Sequence, residues 1–469
     1  MFPPRGLPAV GDLPCHLGHA RIGFGALHRR IVEPWRSTAY SRSTCRTSED
    51  ALSTVFPDLS SLSPPPSERW RVALRHGVPG GSNRLFHGDN LAALAWLAEH
   101  EPASFQCVYI DPPYNRGTKH AHYADARSRS AWLEFMARRL VLLRRLLRAS
   151  GSLFVQLDDN ELDYMKVVLD ELFGTECFIG RVTVRARSPS AFSTVNRGVF
   201  KASEYLLWYA RSRADFRYHP QRVPRPPDPA YTRWIENPQD PAEQWQLGRV
   251  RDAFIRERGP LTSRFRRSDP AYQQFVVDHA QHVFRLAPIS DRKAGAGTVA
   301  AKVRSRQHPA SVLVHHRSGG LEPVYILNGQ QICRYDRNVT VIDGVHTASR
   351  PLTNIWTDIP WEGIAGEGGA RFKQGKKPEK LIRRVLSLTT KPGDAVLDAF
   401  GGSGTTAAVA HKMGRAWVLL EHGPQARTIA EPRLRRVVDG LDDTGVSTVE
   451  DWHGGGGYAV LTPEAESPA

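Results

Sequence analysis

The chain has 469 residues, enough for two or three domains with a sizeable buried core. Its 41% apolar content excludes a largely disordered polymer, and no apolar run is long enough to cross a bilayer. A formal charge of +15 favours a polyanion such as DNA or RNA, although a basic solvated surface gives the same balance; five cysteines without a C-x-x-C pair indicate neither a zinc site nor a disulfide framework, and point to a reducing, cytoplasmic compartment.

Residues 1–75 carry Arg, Ser and Pro, few acids and little periodicity, and read as a disordered lead or a mis-assigned start rather than a transit peptide. Regular patterning begins near Asn83. Arg84 to Asp89 reads as a strand and a turn, followed by helical apolar spacing through Leu91, Leu94 and Leu97. Phe105 to Ile110 is a compact β-prone run, and Asp111-Pro112-Pro113 forces the chain out of any sheet. Ser130 to Ala149 predicts an amphipathic helix, with Trp132, Met136, Leu140, Leu143 and Leu147 on its stripe. Gly151 to Leu157 predicts a strand, and Asp158, Asp159 or Asn160 can cap a helix from Glu161 to Phe173, closed by Gly174.

From Arg181 to Ser349 the alternation degrades into strand-like pieces (Tyr205 to Tyr209, Val324 to Leu327) among Pro, Arg and Trp. Regularity returns with a helix over Glu379 to Leu388, a strand over Ala395 to Asp398, a glycine-rich turn, a helix, and a strand from Ala416 to Leu420 ending at Glu421. The stretch after Gly440, with Gly454 to Gly457, reads as a loose end. Strand–helix alternation implies a doubly wound parallel sheet. The expected divisions are an extension (1–75), a first half-sheet (76–180), an insert (181–349), a second half-sheet (350–440) and a tail (441–469).

Two clusters carry chemistry, each at the carboxyl end of a predicted strand, where open α/β sheets bind ligands. The first is Asp398-Ala-Phe400-Gly401-Gly402-Ser-Gly404, a turn that lets backbone approach a ligand, with Glu421 about 20 residues on where an acid commonly takes ribose hydroxyls. It lacks both the dinucleotide glycine spacing and a P-loop lysine. A nucleoside without a pyrophosphate cradle, such as S-adenosylmethionine, fits; a plain tight strand–helix turn would look the same. The second is Asp111-Pro112-Pro113-Tyr114. A carboxylate can hold an aromatic amine, a rigid Pro-Pro corner can aim the Pro112 carbonyl at its second N–H, and a Tyr ring can stack on an everted base. A capping Asp with a buried Tyr is the structural alternative.

Together these pieces resemble the N6-adenine and N4-cytosine DNA methyltransferases, most closely the modification subunits of type III restriction systems. The resemblance covers roughly Arg84 to Phe178 and Asn354 to Gly440. It runs through His87-Gly-Asp-Asn-Leu91, Tyr109 to Asn115, Gly151 to Glu161, Lys377 to Ile382, Asp398 to Thr406 and Pro432 to Val437. The catalytic tetrapeptide precedes the cofactor turn, which in this family is the permuted β-class order with a target-recognition insert between. The resemblance implies an α/β, Rossmann-like doubly wound methyltransferase sheet, circularly permuted, with an inserted irregular α+β module. It implies that Asp398, Phe400, Gly401, Gly402, Gly404 and Thr405 cradle S-adenosylmethionine and that Glu421 takes its ribose. Lys377 and Pro378 would lie near the methionine part, with Asp89 at the adenine end or simply capping its turn. No metal is implied.

Asp at the head of the tetrapeptide favours adenine N6 over cytosine N4. Cytosine C5 chemistry is rejected, because the sole Pro-Cys is Pro14-Cys15. In the insert, Arg181, Arg185, Arg187, Arg197, Lys201, Arg222 and Arg225 interleave with Trp208, Tyr209, Trp234 and Trp245, a composition suited to phosphate contact and stacking or to a basic surface over an aromatic core. The implied partners are double-stranded DNA, a separate restriction subunit and a second copy of the chain. The alternatives are methylation of cytosine N4 or of RNA adenine, a non-catalytic DNA-specificity subunit, and a nucleotide-binding oxidoreductase, the last leaving Asp-Pro-Pro-Tyr unexplained.

Overall fold

The computed structural model describes residues 57, 59, 62, 65, 67–117, 127–187, 199–261, 265–372 and 375–464. Residues 1–56, including Pro14-Cys15, and Arg197 lie outside the described residues. Ten strands form one sheet: β1 (Trp70–Gly77), β2 (Arg84–His87), β3 (Phe105–Ile110), β4 (Leu147–Leu157), β5 (Phe178–Arg185), β6 (Ser203–Ala210), β7 (Ile355–Trp356), β8 (Ala395–Asp398), β9 (Ala416–Glu421) and β10 (Gly457–Pro463). Their spatial order is β1-β10-β2-β9-β8-β3-β4-β6-β5-β7. The run from β10 to β4 is parallel throughout. β6 enters antiparallel to both β4 and β5, and β1 closes the other edge antiparallel to β10.

The central strands are apolar on both faces because helices cover both sides. All six residues of β3 are buried. Helix α1 (Asn90–His100) starts at Asp89, whose Oδ1 accepts from the amides of Leu91 and Ala92 at 2.6 and 3.2 Å. Helix α2 (Arg129–Leu146) starts at Ser128, whose Oγ accepts from the Ala131 amide, and buries Trp132, Leu133, Met136, Leu140 and Leu143. It stops three residues short of the expected end, because Leu147 turns to extended backbone and opens β4 directly. Helix α3 (Leu162–Phe173) has Glu161 at its N-cap with no side-chain bond to the helix amides, so Asp158, Asp159 and Asn160 do not cap it. The Asp158 Oδ1 instead accepts from the amide of Asn160.

Three expected boundaries differ. Phe178–Arg185 and Ser203–Ala210, assigned to the insert from Arg181 on, are full members of the large sheet, with Leu206, Leu207 and Tyr209 wholly buried. Ser203–Ala210 is buried almost throughout its second half, which blurs the alternation there, while Phe178–Arg185 buries only Val182 and Val184. Glycines 454–457 do not begin a loose end: β10 inserts between β1 and β2, burying Tyr458 and Val460. Trp70–Gly77, within the expected extension, is its partner strand.

The residues between β6 and β7 build two smaller antiparallel sheets, of six and three strands. Each contains a two-residue hairpin with left-handed backbone at both positions, Asn328-Gly329 and Asp343-Gly344, the residue pairs that tolerate it. Trp234, Phe254, Tyr272 and Phe275 form an aromatic core with helices Val250–Arg258 and Pro270–Asp278. Helices α4 (Glu379–Thr389), α5 (Thr405–Lys412) and α6 (Glu431–Val438) complete the large domain.

Candidate active site

β3 and β8 are about 290 positions apart in the sequence yet pair as parallel neighbours, Val108 opposite Leu397. From β3 the chain crosses through α2 to β4 on one side; from β8 it crosses through α5 to β9 on the other. The two crossovers diverge, so a crevice opens between them at the carboxyl strand ends. A cleft of about 1000 Å³ occupies it. Asp111, Pro112, Pro113 and Tyr114 line one side, and Asp398, Phe400, Gly401, Gly402, Thr405 and Glu421 the other. Asp89, Lys377 and Phe372 also reach it, whereas Gly404 and Pro378 lie behind the lining, as the N-caps of α5 and α4. No helix among the described residues is long and apolar enough to cross a membrane, and none of their His, Cys, Asp and Glu residues group as a metal site would require.

The glycine turn is built by backbone. Asp398 Oδ1 accepts from the Phe400 amide at 2.9 Å and its Oδ2 from Thr406 Oγ1 at 2.6 Å. Gly402 has φ +50° and Gly404 φ +75°, left-handed conformations that suit glycine. A Cβ on Gly401 would meet Leu419 at 2.7 Å, whereas one on Gly402 would meet nothing closer than 3.9 Å, so the cleft side of the turn is open at Gly402. Glu421 holds the turn: its Oε2 accepts from the Gly402 amide at 2.6 Å, and Oε1 from the Gly423 amide and Gln425 Nε2. Burial raises the Glu421 carboxyl and pushes Asp398 up to about 7.

Behind the turn lies a fully buried ion network. Arg433 donates to Thr405 Oγ1 at 2.7 Å, to the Ser403 carbonyl and to Glu379 Oε1; Lys412 pairs with Glu379 and Asp442. Thr405 is thereby turned toward the protein interior as well as lining the cleft. Asn90 ties the halves together, donating to the Ala399 carbonyl at 2.7 Å and accepting from Arg139. Asp89 acts as the cap of α1, with a side chain 52% exposed.

The opposite wall is built from side chains. Asp111 Oδ2 lies 3.0 Å from Lys377 Nζ, and its Oδ1 accepts from the Tyr114 hydroxyl at 2.8 Å. The same hydroxyl is 3.0 Å from Glu204 Oε2, and Lys377 Nζ is 3.4 Å from that oxygen. Gln156 Nε2 donates to Glu204 at 2.6 Å, and the Tyr109 hydroxyl donates to Gln156 Oε1. Trp132 Nε1 donates to the Pro113 carbonyl at 2.8 Å, fixing the Pro-Pro corner. Burial, with the nearby Glu204 charge, raises the Asp111 carboxyl against the pull of Lys377. Burial also opposes the Glu204 charge, yet Lys377, Gln156, Tyr114 and Arg116 outweigh it and hold Glu204 below the ordinary carboxylate range. Lys377 is held above its usual value despite burial, by the two carboxylates.

Lys377, expected near the methionine part of the cofactor, lines the cleft and contacts the Asp111 carboxylate. The Tyr114 ring, expected as an open stacking face, is 8% exposed, with Arg116 and Lys377 at 4.8 and 5.0 Å from its centroid. Glu204 was missed. Its only sequence signal was a lone carboxylate in the otherwise apolar run Glu204 to Ala210. Several cations expected to face phosphates are engaged within the chain: Arg181 with Asp163, Lys201 with Asp159, Arg222 with Ser349 and Arg225 with Asp228. Trp208 and Tyr209 belong to the large sheet, and Trp234 to the core of the insert.

A family model described as DNA methylase matches residues 105–432, more than half of the chain. The probable Mod subunit of the HindVI type III restriction-modification enzyme of Haemophilus influenzae is 29% identical over 427 residues, covering 83% of this chain and 55% of that protein. The type II methyltransferase M.KpnI of Klebsiella pneumoniae is 24% identical over 346 residues, covering 70% of this chain and 76% of its own length. The Mod subunit of the StyLTI type III enzyme of Salmonella typhimurium is 26% identical over 360 residues, covering 69% of this chain and 49% of that subunit. The chain spans about half the length of these two type III subunits.

Proposed function

Because the chain belongs to the DNA methylase family, we propose that it transfers a methyl group from S-adenosylmethionine to the exocyclic N6 amine of adenine in double-stranded DNA. The observation that carries the reading is the shared cleft: the Asp111 corner and the open glycine turn face each other from neighbouring strand ends.

The residues present fit such a donor. Asp398 and Glu421 supply carboxylates for a cationic, hydroxyl-bearing nucleoside, Phe400 an aromatic wall, and Gly402 a close backbone approach. When bound, the donor supplies an already activated methyl group on a sulfonium. The remaining work is positioning. Asp111 accepts a hydrogen bond from the target amine, and the Pro112 carbonyl faces its second N–H. Asp111 is also the acceptor for the proton that the amine sheds once methylated. Lys377 and Tyr114 hold that carboxylate in place, and the Trp132 bond to Pro113 keeps the corner rigid. Rate comes chiefly from proximity and orientation.

Asp111 heading the tetrapeptide supports adenine over cytosine. The relatives named as Mod subunits extend the proposal to work beside a separate restriction subunit, with the insert supplying DNA contacts. The test is transfer of labelled methyl from S-adenosylmethionine to duplex DNA, followed by nucleoside analysis. N6-methyladenine is the expected product. N4-methylcytosine overturns the base assignment, and no transfer to any duplex carrying adenine in varied contexts overturns the activity. Asp111→Ala should lower the rate at least about 100-fold while cofactor affinity stays within about threefold; normal turnover in that variant would sink the role given to Asp111.

A further inference from the structure

The side-chain wall of the cleft contains one more acid than the proposed transfer uses. Glu204 enters from β6, the single antiparallel strand within the interior of the sheet, and its side chain is only 8% exposed. It is within reach of every group that touches Asp111 by side chain: the Tyr114 hydroxyl at 3.0 Å and Lys377 Nζ at 3.4 Å. On its far side, Gln156 donates at 2.6 Å and Arg116 Nη2 lies 3.9 Å away. Burying a second carboxylate two hydrogen bonds from the first costs desolvation and charge repulsion that an apolar residue there would avoid.

We infer that Glu204 is a positioning residue for methyl transfer: it shares Lys377 and the Tyr114 hydroxyl with Asp111, and so keeps Asp111 a stronger hydrogen-bond and proton acceptor than an Asp–Lys pair would be. The argument rests on the proposed role of Asp111. One ammonium serves two carboxylates, so Lys377 does not neutralise Asp111 fully. The Tyr114 hydroxyl has a single proton to give, and two carboxylates compete for it. Both divisions leave electron density on Asp111. Asp111 also acts on the Tyr109 phenol on β3 and on Asp398 at the end of β8, neither of which supplies a cation, while Arg127, Arg139, Arg187 and Lys376 line the same cleft. Arg116 lies over the Tyr114 ring, pairs with Asp158 and reaches Glu204 at 3.9 Å. The directions of the shifts agree: Glu204 stays ionised below the usual range, and its charge helps to raise Asp111. Glu204 is therefore the fixed anion and Asp111 the group that titrates.

The sign of the effect follows. Replacing Glu204 with Gln removes a negative charge and releases Lys377 to Asp111, so the Asp111 carboxyl titrates lower. Transfer requires Asp111 ionised, so the acidic limb of the kcat–pH profile should move to lower pH by about one unit in Glu204→Gln, while plateau kcat drops about tenfold because a weaker base remains. KM for donor and for DNA should stay within about threefold. Glu204→Asp should recover part of the rate and the original limb. An independent readout needs no turnover: the carboxylic C=O infrared band that disappears in Asp111→Asn should titrate at lower pH in Glu204→Gln than in the unaltered chain. If Glu204→Gln loses its fold, Gln156→Leu takes one donor from Glu204, whose carboxylate then draws more on Lys377 and Tyr114, and should move the Asp111 band to higher pH; an unchanged band there overturns the inference too. An unchanged limb and band in a folded Glu204→Gln overturn the inference while leaving the methyltransferase reading intact. Absence of methyl transfer by the unaltered chain overturns that reading, and the band titration still decides the coupling.

Discussion

The two walls of the cleft are made differently. The wall after β8 is largely backbone and local: the Asp398 carboxylate accepts from the Phe400 amide two positions on, and the Glu421 carboxylate, from the adjacent strand, accepts from the Gly402 amide. The wall after β3 is an assembly of side chains from four separate segments, with Asp111, Gln156, Glu204 and Lys377 converging on one buried charge cluster. A glycine turn can be specified by consecutive residues because it recognises a ligand through main-chain shape. A tuned carboxylate cannot, because its environment is set by whichever strands lie alongside. The first design is therefore sensitive to backbone conformation and the second to charge.

The contrast can be broken most forcefully at Gly402. Valine there would be β-branched at φ +50° and would project into the open side of the turn. Strain of about 1–3 kcal/mol plus the lost approach should weaken donor binding about 30-fold or more, measured by titration calorimetry, with duplex DNA binding unchanged. Donor affinity close to that of the unaltered chain would show that the turn is not the cradle.

A smaller effect should separate charge from shape within the backbone-built wall. Burial brings the Asp398 carboxyl from 3.8 to about 7. Between those values the folded, ligand-free chain keeps a proton that the unfolded chain has lost. This group's contribution to stability is thus complete below the unfolded value and disappears as pH rises through about 7. A cationic donor prefers the ionised form, so its affinity should rise as pH passes upward through about 7, about tenfold per unit below that point, with proton release on binding. Asp398→Asn should flatten both the affinity and the stability profile; a slope that survives the substitution assigns the titration elsewhere.

The smallest expected effect is at Asp89. As the cap of α1 it should cost about 1 kcal/mol of stability when replaced by Ala, read by denaturant unfolding, with donor affinity unaltered. A drop in affinity of about tenfold would restore Asp89 to the donor site.

Much of the large domain was legible because its signals are short-range. β3 is a compact β-prone run followed by Asp111 and two prolines, α2 carries a continuous stripe, and Asp398 to Gly404 sits between a strand and a helix. Long-range pairing was not legible. Gly457–Pro463 has no amphipathic period of its own, being covered on both faces, and it becomes a strand only because β1 and β2 leave a slot between them. The position of Lys377 was equally hidden: its neighbour Pro378 suggests a helix start and says nothing about which carboxylate lies above it.

By itself the sequence determined the local conformations and the identities of the candidate site groups: the Pro-Pro corner behind Asp111, the left-handed glycines 402 and 404, and the acid at Glu421. These depend on steric limits and hydrogen bonds within a few residues. The tertiary structure alone decided that β3 and β8 pair, that β6 runs against them, and that Glu204 and Lys377 flank Asp111. Strand pairing across such separations is set by which faces bury together, and buried charge takes its pKa from neighbours that no local pattern names.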